Sequence, residues 1–374
     1  MVVVFWAIIC FVFLVLIMTY RYSFPKTQVI GLLLLLVVSL AFLGALIEPK
    51  SIYDLYRHYD LLSSIKNSTY SLKNYLIHGP NLLNSNYRYT YLFNILCFVI
   101  ARYLPFQALP FIAIFVSYSC LLYVIIDHFG KGDLTNRNVL LSLSLCQVIM
   151  PYLYVYSGIR NAMASAIIAF AIYRFYFKNH NYIELVALTV CSFMIHPVSF
   201  AIVPFIFLAK IKLDFKRMLI PLLLPSLLFV ITEFFRLRSG NDLLIKFGAK
   251  YYNYTQVRAD NQGKAFYLCA LMIMACILLY NIYHLVKKQP ISSNDMINRL
   301  MNLVTWYALF SIGYFSSYEL FTRLPYNMAI LSPIIVSSFS SRNDEQSIFD
   351  KGWPVMIAGL FALSTYETVM WLLG

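Results

Sequence analysis

Apolar stretches with at most one charged residue recur along the chain at close to the ~20 residues that a bilayer-spanning helix needs. They fall at 2–20, 28–47, 89–104, 106–126, 139–156, 161–177, 183–209, 218–235, 265–286, 300–316, 324–341 and 353–373. The pattern predicts an all-α fold, a polytopic integral membrane helix bundle of about 11–13 transmembrane helices. It forms a single membrane domain over residues 1–374, with no separate soluble domain. The stretch 183–209 is 27 residues long and carries His196-Pro197 at its middle. It reads either as one long span or as two short helices meeting at the proline. Two connections are long, 48–88 and 236–264, and loops of that size in a compact bundle are usually functional. Alternating polar and apolar strands are absent, which excludes an outer-membrane barrel.

Composition points the same way. Of the 374 residues 61% are hydrophobic and only 12% charged, and mean hydropathy is +0.71. Too few polar side chains remain to cover one globular core, so the bilayer acts as the solvent. The 7 cysteines form no Cys-x-x-Cys pair and lie almost entirely in apolar runs, which reads as free thiols. A net charge of +13 would suggest nucleic acid in a soluble chain, but here the basic residues punctuate apolar runs. We therefore expect no nucleic-acid partner. Clusters at Arg21/Lys26, Arg174/Lys178, Lys210 to Arg217, Lys287/Lys288 and Arg342 mark the cytoplasmic side. Both long loops and the amino terminus then face outward. Residues 1–20 carry no basic leader and no small-residue cleavage site, which favours a retained first span over a removed signal peptide. Three full spans between 89 and 156 would place Arg160 inside, whereas a split at His196 requires it outside; either one segment does not cross or 183–209 is one span.

Four places carry polar chemistry. If the segment beginning at Tyr53 is helical, ~100° per residue puts Asp54, Arg57, His58 and Leu61 on about a third of the circumference. The plainer reading is an interfacial helix with tyrosines at the headgroups and Asp54 paired to Arg57. Arg160 and Asn161 open a helix lined by Ala162, Ala164, Ala166 and Ala169, small residues that permit close packing. Taken alone, Arg160 is an interfacial anchor. His196, in Phe193-Met-Ile-His-Pro-Val-Ser199, is more often a packing or kink residue than a catalyst, yet an imidazole in an apolar run is costly. No second His stands at ligand spacing, so no metal is expected. Glu319 and Arg323 are four apart and suit a helical ion pair, while Pro325 fits the first turn of the next helix. Nucleotide-binding loops and protease signatures are missing, and no cofactor is expected.

Asp54-x-x-Arg57-x-Tyr59, Ile159-Arg160-Asn161-x-x-Ala164, His196-x-x-Ser199 and Arg323-x-x-Tyr326, in this order on this profile, resemble the Wzy-like polysaccharide polymerases, specifically the EpsG-type family. Asn161 stands where that family more often has Gln, and Pro197 directly after His196 is a second departure. The resemblance implies a multi-pass enzyme of the bacterial inner (cytoplasmic) membrane that makes O-antigen or exopolysaccharide. It would move a growing glycan from undecaprenyl diphosphate onto the non-reducing end of a new lipid-linked repeat unit at the periplasmic face. Its partners would be the undecaprenyl diphosphate-linked oligosaccharide, the lipid bilayer and a chain-length regulator. Catalytic candidates are then Asp54, His196, Arg160 and Arg323, with Asp54 or His196 as base and the arginines on the diphosphate. Substrate-binding candidates are Arg57, Tyr59, His58, Asn161, Ser199 and Tyr326.

Other classes stay open at this point. A lipid-linked oligosaccharide flippase would need charges spread through a central cavity, whereas the ionisable residues here sit at span ends and in loops. A membrane O-acyltransferase would use a His with a basic partner. An O-antigen ligase shares the carrier chemistry but matches the four short motifs less well.

Overall fold

The computed structural model describes residues 2–20, 24–51, 54–83, 90–130, 134–211, 214–238, 264–287, 289–292, 294–314, 317–340 and 348–373. Every regular element among them is helical. The first half runs α1 (Val2–Met18), α2 (Lys26–Leu46), α3 (Asp54–Asn67), α4 (Leu72–Leu83), α5 (Tyr91–Tyr103), α6 (Ala108–Phe129), α7 (Asn136–Ile149), α8 (Tyr152–Ser157) and α9 (Ile159–Arg174). The second runs α10 (Tyr182–Ile195), α11 (Val203–Leu208), α12 (Phe215–Arg238), α13 (Lys264–Val286), α14 (Asp295–Gly313), α15 (Tyr318–Arg323), α16 (Tyr326–Ala329), α17 (Ser332–Ser340) and α18 (Ile348–Leu373). Four helical stretches, Lys26–Leu46, Ala108–Phe129, Phe215–Phe234 and Leu268–Val286, are long and apolar enough to cross a bilayer singly. The polytopic helix bundle expected from the hydropathy profile is the fold observed.

Hydrogen bonds between helix ends define two poles. At one pole the side-chain amide of Asn136 donates to Thr19 Oγ1 at 2.8 Å, Tyr173 donates to Asp127 at 2.7 Å, and His128 meets Ser337 at 2.8 Å. Lys26 stands there too, beside Gly130. At the other pole Tyr156 donates to the Ile47 carbonyl at 2.9 Å, and Phe42 packs edge-on against Phe111. Helices α2, α6 and α9 run between the poles. Gly44 lets α2 and α6 approach closely, since a Cβ there would collide with Ile114. Helix α9 buries Ala162, Ala164, Ala166 and Ala169 completely, and these small side chains let it sit tightly between α6 and α10.

This arrangement puts Arg160 at one definite pole of the bundle. Helix α9 begins beside the Ile47 end and finishes at Asp127, so Arg160 is at the pole opposite Lys26 and Lys178. Of the two explanations considered, the helices follow the first and not the second. The apolar run 89–104 does not cross: α5 has only 13 residues, and α6 starts at the same pole as α2 ends. The run 183–209 is two short pieces. Helix α10 ends at His196 in extended conformation (φ −155°, ψ 122°), as expected for a residue preceding proline. A tight 3₁₀ turn (Pro197–Ile202) and α11 then return the chain, so that Tyr176, near the Lys26 pole, donates to the Ile206 carbonyl at 2.9 Å.

Within the long connection 48–88 the described residues are largely helical, the reading that the spacing of Asp54, Arg57 and His58 had left open. Its helices α3 and α4 pack with α5 as a helical cap over the Arg160 pole. Amphipathicity explains the outcome: Leu55, His58, Leu61, Leu62 and Ile65 form one buried stripe on α3. Most of the other long connection, residues 239–263, lies outside the described residues. Arg102, at the end of α5, fastens the cap by donating to the carbonyls of Lys66, Ser68 and Tyr70 at 3.3, 2.6 and 3.2 Å. Arg102→Ala removes a charge-assisted cluster worth about 2 kcal/mol. Hydrogen exchange of amides 66–70 is expected to speed up roughly 30-fold, with amides of α9 unaffected.

Candidate functional site

The first turn of α3 presents Asp54 and Arg57 at the mouth of the cap. Arg57 donates to Asp54 at 3.2 Å, the i, i+3 pairing that helical geometry favours. A second guanidinium arrives from a distant part of the chain, since Arg323 at the end of α15 stands 4.0 Å from the other oxygen of the same carboxylate. Both ion pairs are partly open to solvent: Arg57 is 72% exposed, Asp54 37% and Arg323 29%. In water such pairs contribute little to stability.

His58 lies one residue further along α3 and is buried, with its ring edge-on to Phe93 of α5 at 5.3 Å. The third guanidinium, Arg160 at the start of α9, meets the same Phe93 ring: its carbon is 5.5 Å from the ring centroid, a cation–π contact. Burial, then Arg160, then Arg57 push the His58 imidazole well below its ordinary value of 6.5, so it is held neutral. Arg57, Arg160 and Arg323 therefore gather around the first turns of one short helix. Besides the anchoring role considered for Arg160, its neighbours here are an aromatic face and a buried imidazole.

The neutral imidazole has a consequence for stability. An unfolded His takes a proton near 6.5 and the folded one resists it, so folding stability is complete above that value and falls as the pH drops below it. In detergent the thermal midpoint of the wild-type protein is expected to decline from pH 6.5 downward, and His58→Gln is expected to flatten that decline.

The other sequence candidates fall into two groups. Asn161 and His196 lie close to Arg160 along the chain or across the packing. Asn161 is buried, and neither atom of its amide has a hydrogen-bond partner among the described residues; the Ser165 hydroxyl one turn below is in the same condition. Ser192 donates to the Ala164 carbonyl at 2.7 Å across the antiparallel α9–α10 pair, so one turn further on each helix His196 stands level with Arg160. The His196 Nδ1 accepts from the Val198 N–H at 3.3 Å, capping the 3₁₀ turn that Pro197 begins. Ser199 is taken up in the same turn: it donates to the His196 carbonyl at 2.8 Å and meets Ser192 at 2.7 Å.

Tyr59 and Tyr326 look away from the charged mouth. The Tyr59 ring packs edge-on against Phe106, and burial of its hydroxyl raises its pKa to about 12. Tyr326 is buried with its ring 6.1 Å from that of Tyr154, next to Asn327, which donates to Tyr307 at 2.7 Å. The Glu319 side chain, expected to pair with Arg323, lies outside the described residues. Phe93 is the member of the site that sequence reasoning missed, because one aromatic in an apolar run carries no signal of its own. Among the described residues no group of three His, Cys, Asp or Glu is placed to hold a metal ion.

The model of the EpsG family matches residues 32–369, which takes in every residue of this site. No curated protein and no solved structure matches the chain.

Proposed function

The chain belongs to the EpsG family of polysaccharide polymerase-type membrane proteins, and from that premise we propose that it elongates a bacterial O-antigen or exopolysaccharide from an undecaprenyl diphosphate-linked donor. The observation that carries the proposal is the meeting of Arg57, Arg160 and Arg323 around Asp54 and His58. A diphosphate carries several charged oxygens in tetrahedral array, and planar guanidinium forks are suited to it. The pole that holds the cluster is opposite the Lys26 and Lys178 end, which by the positive-inside rule supports a site on the outer, periplasmic face of the cytoplasmic membrane.

The chemistry divides among the residues as follows. The acceptor hydroxyl on the non-reducing end of a new repeat unit attacks the anomeric carbon of the donor. The bond from that carbon to the phosphate oxygen breaks, and the electron pair leaves with the diphosphate. Arg57, Arg160 and Arg323 stabilise the charge that develops there. Asp54 takes the acceptor proton; donor binding draws Arg57 and Arg323 onto phosphate and frees the carboxylate from its two partners. The unpaired Asn161 amide supplies hydrogen bonds beside Arg160. His58 and Phe93 form the floor, and His196 and Ser199 hold the α10 break that keeps the wall in place. A chain-length regulator is the expected protein partner.

Deleting the chain tests this reading against its rivals. A polymerase defect leaves single repeat units exported and attached. Loss of a flippase leaves no exported unit, loss of an acyltransferase leaves long chains without ester groups, and loss of a ligase leaves long chains on the carrier; any of these three results overturns the proposal.

A further inference from the structure

A second polar cluster lies at the opposite pole and has no part in the reaction above. Between the first turn of α2 and the last turn of α6 is a cavity of about 220 Å³, lined by Lys26, Tyr123, Ile126, Asp127 and Gly130. Its carboxylate is already satisfied: Asp127 is paired with Lys178 at 2.5 Å and accepts from Tyr173 at 2.7 Å. Arg174 is satisfied as well, held by Glu184 at 2.7 Å and donating to the Tyr123 hydroxyl at 3.1 Å. Lys26 differs. No carboxylate or hydrogen-bond partner meets its ammonium among the described residues, and the missing side chain of Gly130 makes room for it, since a Cβ there would come within 3.0 Å of Nζ.

The charges do not cancel. Among the described residues, Lys26, Arg174 and Lys178 stand against Asp127 and Glu184, which leaves one positive charge over. Helices α2 and α6 are both long enough to span, so their shared end lies at the level of the headgroups. One wall is ionic, while Ile126 and the Tyr123 ring make the other apolar.

We propose that this cavity binds the phosphodiester of an anionic glycerophospholipid from the leaflet at the Lys26 pole, with Lys26 as the contact that closes on the phosphate. A phosphodiester carries the single negative charge that the surplus requires. A zwitterionic headgroup brings its own ammonium, which Lys26 and Lys178 repel. Basic pockets between spans at this level suit anionic headgroups for the same reason.

The test uses the full chain, purified in detergent and measured by native mass spectrometry with phosphatidylglycerol, phosphatidylcholine or inorganic phosphate added. We expect phosphatidylglycerol to be retained at least fivefold over phosphatidylcholine. Lys26→Gln removes that preference, Lys26→Arg keeps it, and Lys216→Gln, at a different basic site, leaves it unchanged. Equal retention of the two lipids, or full retention by Lys26→Gln, overturns the proposal. Displacement of the lipid by millimolar inorganic phosphate also overturns it, because the cavity would then be a site for free phosphate.

Discussion

Cells whose only copy carries Arg160→Ala are expected to display single repeat units and no long polymer, with the protein present at its normal level. Removing one preorganised charge from a developing anion typically costs about 10²–10³ in rate, enough to reduce chains of many units to one or two. The loss is expected in the rate and not in the fold. Arg160 is half-exposed at the very start of α9, whose packing rests on alanines below it. Arg160→Lys keeps the charge and the contact with Phe93 but loses the planar fork, so intermediate chain lengths follow. Gel separation of extracted polysaccharide, alongside an immunoblot of the membrane fraction, reads both quantities. Full-length chains from Arg160→Ala would remove this residue from the diphosphate site.

Asp54→Asn is expected to be as severe for a different reason. The amide preserves size and keeps one oxygen that accepts from Arg57, so the first turn of α3 keeps its shape. It cannot take a proton from the acceptor hydroxyl, and loss of a positioned base costs about 10²–10⁴. A kinetic split separates the two variants. Asp54→Asn should bind the lipid diphosphate at least as well as wild type, since the arginines no longer face a competing negative charge, while turning over hardly at all. Arg160→Ala should lose both. If Asp54→Asn elongates at the normal rate, the carboxylate serves only to hold the guanidinium groups apart and the base lies elsewhere.

Much of this was legible in the sequence, and the exceptions have physical causes. Apolar run length located the helices, and Pro197 announced the break at His196 because a proline denies its predecessor the helical conformation. The i, i+3 spacing of Asp54 and Arg57 was enough to anticipate their pairing. Hydropathy failed at 89–104, an apolar run with one charge, Arg102, whose helix packs into the cap. The cause is a tertiary one: Arg102 finds three carbonyls at the α3–α4 turn, a partner set that no window of α5 alone reveals. Length alone left 48–88 undecided, where two short amphipathic helices bury Leu55, Leu61 and Ile65 beneath a polar face. The gathering of Arg160 and Arg323 on Asp54 and His58 required contacts more than a hundred residues apart. Spacing within a motif carries no information about that. The cavity at Lys26 left no mark in the sequence beyond a basic residue at a span end.

The account stands on a grip by three guanidinium groups from α3, α9 and α15 on one diphosphate. The most direct measurement is the affinity of undecaprenyl diphosphate and undecaprenyl monophosphate for the purified protein in nanodiscs, for wild type and for Arg57→Gln, Arg160→Gln and Arg323→Gln. Wild type should prefer the diphosphate by roughly tenfold or more, about 1.4 kcal/mol, and each substitution should erode that preference. Equal binding of the two lipids by wild type, or a preference that all three substitutions leave intact, would contradict it.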